Sequence, residues 1–235
     1  MYLTATKAKC LLNLPNYKQK TIEEFLGLHR DDKYNGGELI PVYQQYSLTG
    51  DEQAKELILL HNFEDVKGMI FISDILSYSD LLSSDFTYIS HSIDEDKLRG
   101  QLRCEIALPN QINKLREYGM YIIKNDILHL TLNLYSGQLY TYLSDYKNYY
   151  YLIEENMIIP KALGESIDKN NRRPAKRADC KVSLEGTFIQ LPEKLELSNS
   201  IHIFKESYES KDAYVNVADV SEALLIRIAK YMLKH

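Results

Sequence analysis

The chain has no tryptophan, three cysteines and ten glycines in 235 residues. Cys10, Cys104 and Cys180 are odd in number and far apart, so neither a disulfide framework nor a C-x-x-C metal or redox pair is expected. Only Gly36 and Gly37 are adjacent, and neither G-x-x-x-x-G-K-[ST] nor G-x-G-x-x-G occurs, which excludes those phosphate-cradling loops. H-E-x-x-H and G-x-S-x-G are also missing, and the six histidines stand singly, so no metal or cofactor is expected. The longest apolar runs, such as residues 57–60, fall far short of the roughly 20 residues a membrane span needs. Residues 1–7 lack the charged-then-apolar order of a signal peptide. A cytoplasmic protein without a membrane partner is expected. There is no internal repeat, low-complexity linker or sustained heptad run.

What is present is the composition of a folded chain: 45% apolar, 26% charged and a formal net charge of -5. The pattern predicts one α+β domain over 1–235, with a possible subdivision near 164–181. The sheet should be largely antiparallel or mixed, between N-terminal helices and a C-terminal helix. The first 30 residues read as helical, with Thr21 and Glu24 spaced as a capping box. Residues 38–48, which include Pro41, read as an extended edge segment. Residues 51–63 suit a helix or a buried strand, and periodicity does not decide. Residues 69–72 read as a strand, 86–92 and 98–108 as strands around a turn at 94–96, and 110–118 as a helix capped by Asn110 and stopped by Gly119. Leu128, Leu130, Leu132 and Leu134 alternate with polar residues. Ser136-Gly137 then reads as a turn and 139–143 as the returning strand, giving a β-hairpin. Residues 146–159 are ambiguous, and 164–181 form a loop of unusual length. Strands follow at 182–191, 201–204 and 214–217. A closing helix is capped by Asp219, with Val220, Ala223, Leu224, Ile228 and Tyr231 as its apolar stripe.

One segment departs from the chain's acidic background. Lys169, Arg172, Arg173, Lys176, Arg177 and Lys181 accompany a single acid, Asp179, within 13 positions. That is a local charge of +5, which leaves -10 on the remainder of the chain. Arginine forks suit phosphate or carboxylate contacts, and the plain alternative is a solvated surface loop or one that pairs with acidic surface of the same protein. The second departure is tyrosine: 19 Tyr against 6 Phe. Either coding bias or an aromatic contact surface explains it. Tyr140 and Tyr142 share one strand face, and Tyr149 and Tyr150 lie close by, so they are candidate contacts for a protein or for nucleic-acid bases. Taken together these features predict a non-catalytic macromolecule-binding protein, with accessory, immunity or anti-defence roles fitting by analogy. Neither the partner, protein or nucleic acid, nor the oligomeric state follows from the sequence.

Asp168 followed by Asp179-x-Lys181 resembles the metal site of PD-(D/E)xK nucleases. That resemblance implies a divalent-metal nuclease in which two carboxylates hold the ion and the lysine polarises the attacking water. Residues 86–97 (Phe-Thr-Tyr-Ile-Ser-His-Ser-Ile-Asp-Glu-Asp-Lys) are similar to the opening strand and loop of TIR domains. The downstream segment that carries that family's catalytic glutamate has no counterpart, and the family is not assigned.

Overall fold

A computed structural model describes residues 6–197 and 201–235. The opening and closing helices enclose strands whose pairings are all antiparallel, so the α+β expectation holds. Among the described residues no helix is long and apolar enough to cross a membrane.

The N-terminal part is helical: α1 (Gln19–Leu26), α2 (Leu39–Thr49), α3 (Glu52–Phe71) and α4 (Leu76–Leu81). Two local expectations fail here. The extended segment at 38–48 is α2, because Pro41 sits in the first turn, where its missing N–H has no intrahelical partner anyway. The strand at 69–72 is the end of α3 running into a 3-10 turn. Thr21 does not cap α1 but lies inside it, donating its hydroxyl to Asn16 Oδ1 at 2.7 Å. The helical reading of residues 1–5 lies outside the described residues.

The main sheet runs β1 (Phe86–Asp94), β2 (Lys97–Cys104), β5 (Ile127–Tyr142), β4 (Gly119–Lys124), β3 (Ile112–Arg116). The predicted turn at 94–96 joins β1 and β2. The helix expected at 110–118 is instead β3. Ile112 is buried opposite Ile123, and pairing with β4 outweighs local helix signals. Asn110 is an anchor rather than a cap, exchanging hydrogen bonds at 3.0 Å with the Tyr78 hydroxyl through its backbone.

The expected hairpin at Ser136-Gly137 does not exist. β5 is one continuous strand of 16 residues, roughly 50 Å long. Its first half lies between β2 and β4, and from Leu134 onward it pairs with β9 (Lys181–Leu191), which also carries β10 (Ala213–Asn216). The apolar alternation shifts phase because the buried face changes. Leu128, Leu130 and Leu132 face the principal core with Leu98, Leu102 and Ile123, against Leu224, Leu225, Ile228 and Met232 of α6 (Glu222–Lys234). Leu139 faces the other way, into a small cluster with Phe188, Phe204 and Tyr214. The Tyr135 ring folds over Gly137; an added Cβ would lie 3.0 Å from the Tyr135 hydroxyl, so the ring would have to shift. The cap of α6 is Ser221, which accepts from the Leu224 amide at 3.3 Å, and Asp219 ends the turn before it.

Gly119, at the tight β3–β4 connection, faces Leu132 across the ladder. A Cβ there would come within 2.2 Å of the Thr131 carbonyl oxygen. Because the obstacle is backbone, Gly119→Ala is expected to cost about 2 kcal/mol. In a chain of this size that lowers Tm by roughly 4–8 °C in a thermal melt.

Candidate functional site

The basic segment is folded rather than looped out. After β6 (Tyr149–Leu152) and β7 (Met157–Pro160) come a short helix α5 (Lys161–Gly164) and β8 (Arg172–Pro174), which pairs with β6. A 3-10 turn (Arg177–Asp179) then leads into β9. This three-stranded sheet divides the six cations into two groups. Arg172 lies 4.8 Å from the Tyr150 ring centre and donates to the Gly164 carbonyl. Arg173 lies 4.2 Å from the Tyr151 ring and grips Asp179 with both terminal nitrogens, at 2.6 and 3.0 Å. The charged ends of these two arginines are engaged by groups of the small sheet and its connections. Lys169, Lys176, Arg177 and Lys181 are exposed, and among the described residues none makes an ion pair.

One of them, Arg177, lines a cleft of about 820 Å³ whose wall also includes Tyr142, His202, Lys205 and Tyr208. Tyr142 and Tyr208 meet edge to face, ring centres 5.3 Å apart. An isolated bridge places Lys205 beside Tyr140, the two backbones exchanging hydrogen bonds at 2.9 Å each way. The Lys181 ammonium sits 4.4 Å from the Tyr140 ring centre and extends the cationic and aromatic alternation along β9. Burial raises the Tyr142 hydroxyl pKa, assisted by the nearby Glu209 carboxylate. Glu206 accepts from the Tyr214 hydroxyl at 3.3 Å. Of the predicted contacts, Tyr140, Tyr142, Arg177 and Lys181 are gathered here, while Tyr149 and Tyr150 lie half-buried in the small sheet. His202, Lys205 and Tyr208 were not legible in sequence, because the acids interleaved around them cancel any local charge signal.

Asp168 is exposed, its Oδ1 accepting from the Asn170 amide at 2.9 Å. The Asp179 carboxylate takes the Arg173 fork and the Lys176 amide at 2.7 Å. No hydrogen bond or ion pair joins Asp168, Asp179 and Lys181. The fork from Arg173 holds the Asp179 carboxyl below the ordinary aspartate range; partial burial opposes this, and the Lys176 amide assists it. A depressed folded-state pKa stabilises the fold above the unfolded value of about 3.9 and is lost as pH falls through the folded one. Asp179→Asn should therefore flatten the acid side of the stability curve below about pH 4–5, read by urea midpoints at successive pH values.

A second polar cluster lies between α1, the segment 30–34 and α3. The Glu23 carboxylate, 1% exposed, receives Arg30 Nε at 2.5 Å and a terminal nitrogen at 2.7 Å. Arg30 also binds Asp65 at 2.6 Å. Glu64 accepts the Asp31 and Asp32 amides, both at 2.9 Å. Asp32 meets His61 Nδ1 at 2.6 Å, the Tyr34 amide at 2.9 Å and Lys20 at 3.5 Å, and His61 Nε2 lies 3.4 Å from Asp65. Burial pushes the Asp32 carboxyl up, but its bonds from His61 and Tyr34 outweigh that and leave it below the ordinary range. The residue types in this cluster gave no motif, because the sequence scatters them over 46 positions.

A family model described as RNase_H superfamily matches residues 2–77, about a third of the chain. Within the described residues that stretch contains α1 to α3 and the ion cluster, and no strand. No curated protein matches the chain, and no solved structure does.

Proposed function

We propose that the protein binds a nucleic-acid strand along the cleft beside β9, with phosphates at Lys176, Arg177, Lys181 and Lys205 and bases against Tyr142 and Tyr208. The observation that carries this reading is that Arg177 and Lys205 line one groove with Tyr142 and Tyr208 while Lys181 lies over the neighbouring Tyr140 ring, a combination of cations and rings that tracks a backbone and stacks bases without reading sequence. The match to the RNase_H superfamily, named for an enzyme acting on nucleic acid, supports the same partner class. The test is titration of fluorescent single-stranded DNA and RNA at several salt concentrations, with Arg177→Glu/Lys181→Glu and with Tyr142→Ala. Binding that is insensitive to salt would indicate a protein partner instead.

Cleavage of the bound strand is a second reading, favoured by the family match alone. It implies a divalent metal, and the carboxylates present do not fit one as they stand. Glu23, Asp32 and Glu64 are buried and saturated by Arg30, His61 and backbone amides, and Asp179 is held by Arg173. Among the described residues no group of three or more potential ligands has metal-holding geometry. No step through a metal is derived. Cleavage in Mg²⁺ or Mn²⁺ that survives Asp179→Asn but not Asp65→Asn would place the activity in the matched segment. Cleavage lost with Asp168→Asn or Asp179→Asn would place it at the basic segment.

A further inference from the structure

Helix α3 buries polar side chains and leaves large apolar ones exposed. The face it turns inward carries Ala54, which is buried, and His61, Glu64, Asp65 and Gly68, which belong to the ion cluster or lie against it. Gly68 is required there, since a Cβ would fall 1.8 Å from Glu23 Oε1. The outward face carries Leu59, Phe63, Val66 and Ile70, which are 56, 65, 56 and 74% exposed. Their spacing of four, three and four residues is the a/d seam of helix-on-helix packing, two heptads long and too short to register as a sequence repeat. Leu60, Met69 and Phe71 flank it, also exposed. These seven side chains present roughly 700 Å², above the few hundred that a monomer leaves in one apolar patch and close to the roughly 800 Å² each partner contributes to a standard interface.

We propose that this seam is a self-association surface on which α3 packs antiparallel against α3 of a second copy. Two observations select that occupant. The first is shape: an a/d stripe takes another a/d stripe, and a two-fold axis level with residues 64 and 65 sets Leu59 opposite Ile70, equal in size, and Phe63 opposite Val66, large against small. The second is charge. Antiparallel pairing sets Glu56 opposite Ser73 and, on the flank of the seam, Lys67 beside Leu60, with no like charges at the same level. Parallel pairing would bring Glu56 onto its own copy. The partner therefore needs no chemistry that the chain does not already possess.

The test is sedimentation equilibrium of the full chain between about 1 and 100 µM, spanning the affinities such an interface supports. A reversible dimer is expected. Phe63→Glu/Ile70→Glu should raise its dissociation constant at least 100-fold with an unchanged circular dichroism spectrum, and the milder Leu59→Gln/Ile70→Gln guards against loss of fold. Mixing chains bearing Leu59→Cys and Ile70→Cys should give oxidised links between 59 and 70 rather than between identical positions. A wild-type chain that stays monomeric at 100 µM overturns the proposal, whether or not it binds lipid vesicles or detergent. A dimer indifferent to both variants, or one linked 59 to 59, overturns it equally.

Discussion

Arg30→Met is expected to destabilise the protein by about 3–5 kcal/mol, the range for removing one partner of a buried ion pair. Among the described residues Arg30 is the only cation on Glu23, whose carboxylate is 1% exposed and pressed against Gly68. The remaining donor to Glu23, the Gln19 amide at 2.9 Å, is neutral and cannot compensate a buried charge. The same guanidinium bridges to Asp65, so its loss also leaves that carboxylate without its cation. Urea unfolding followed by circular dichroism measures the effect. Arg30→Met combined with Glu23→Leu should recover part of the loss, because no buried charge is then abandoned, and a double variant as unstable as Arg30→Met would show that the guanidinium contributes mainly through packing.

The Arg177→Glu/Lys181→Glu chain is expected to bind single-stranded nucleic acid on the order of 100-fold more weakly or worse. Each lost phosphate contact should also reduce the salt slope, by about 0.7 for a single strand. Tyr142→Ala should weaken binding by about 1–3 kcal/mol per unstacked base with the salt slope unchanged, because stacking releases no counterions. Arg173→Glu provides the contrast. Its charge is already taken by Asp179, so its loss should lower stability and acid resistance more than affinity. If Arg173→Glu weakened binding more than the double variant at Arg177 and Lys181, the division between structural and exposed cations would be wrong.

The structural division of the basic segment shows how far a charge count carries. Six bases against one acid correctly marked residues 169–181 as unlike the rest. The count could not show that Arg172 and Arg173 would be drawn onto Tyr150, Tyr151 and Asp179 by the pairing of β8 with β6. Nor could it find Lys205 and Tyr208, which reach the cleft through a bridge to Tyr140 from 65 residues downstream. The β5 hairpin was misread for a definite reason. A phase shift in period-two alternation has two solutions, a turn or a strand whose buried face changes, and Gly137 favours both.

Local chemistry in the sequence was sufficient for the α+β class, for the β1–β2 turn, for β9 and for the amphipathic closing helix, because each is set by residues close together in the chain. What tertiary structure alone decided is which face of an element is inside. α3 hides histidine and carboxylates and displays leucine, phenylalanine and isoleucine, the reverse of the usual rule. Arg30 and the amides of residues 31 and 32, brought in from outside the helix, supply the partners without which those carboxylates could not be buried. No periodicity can report that, since the compensating partners lie more than 30 positions away.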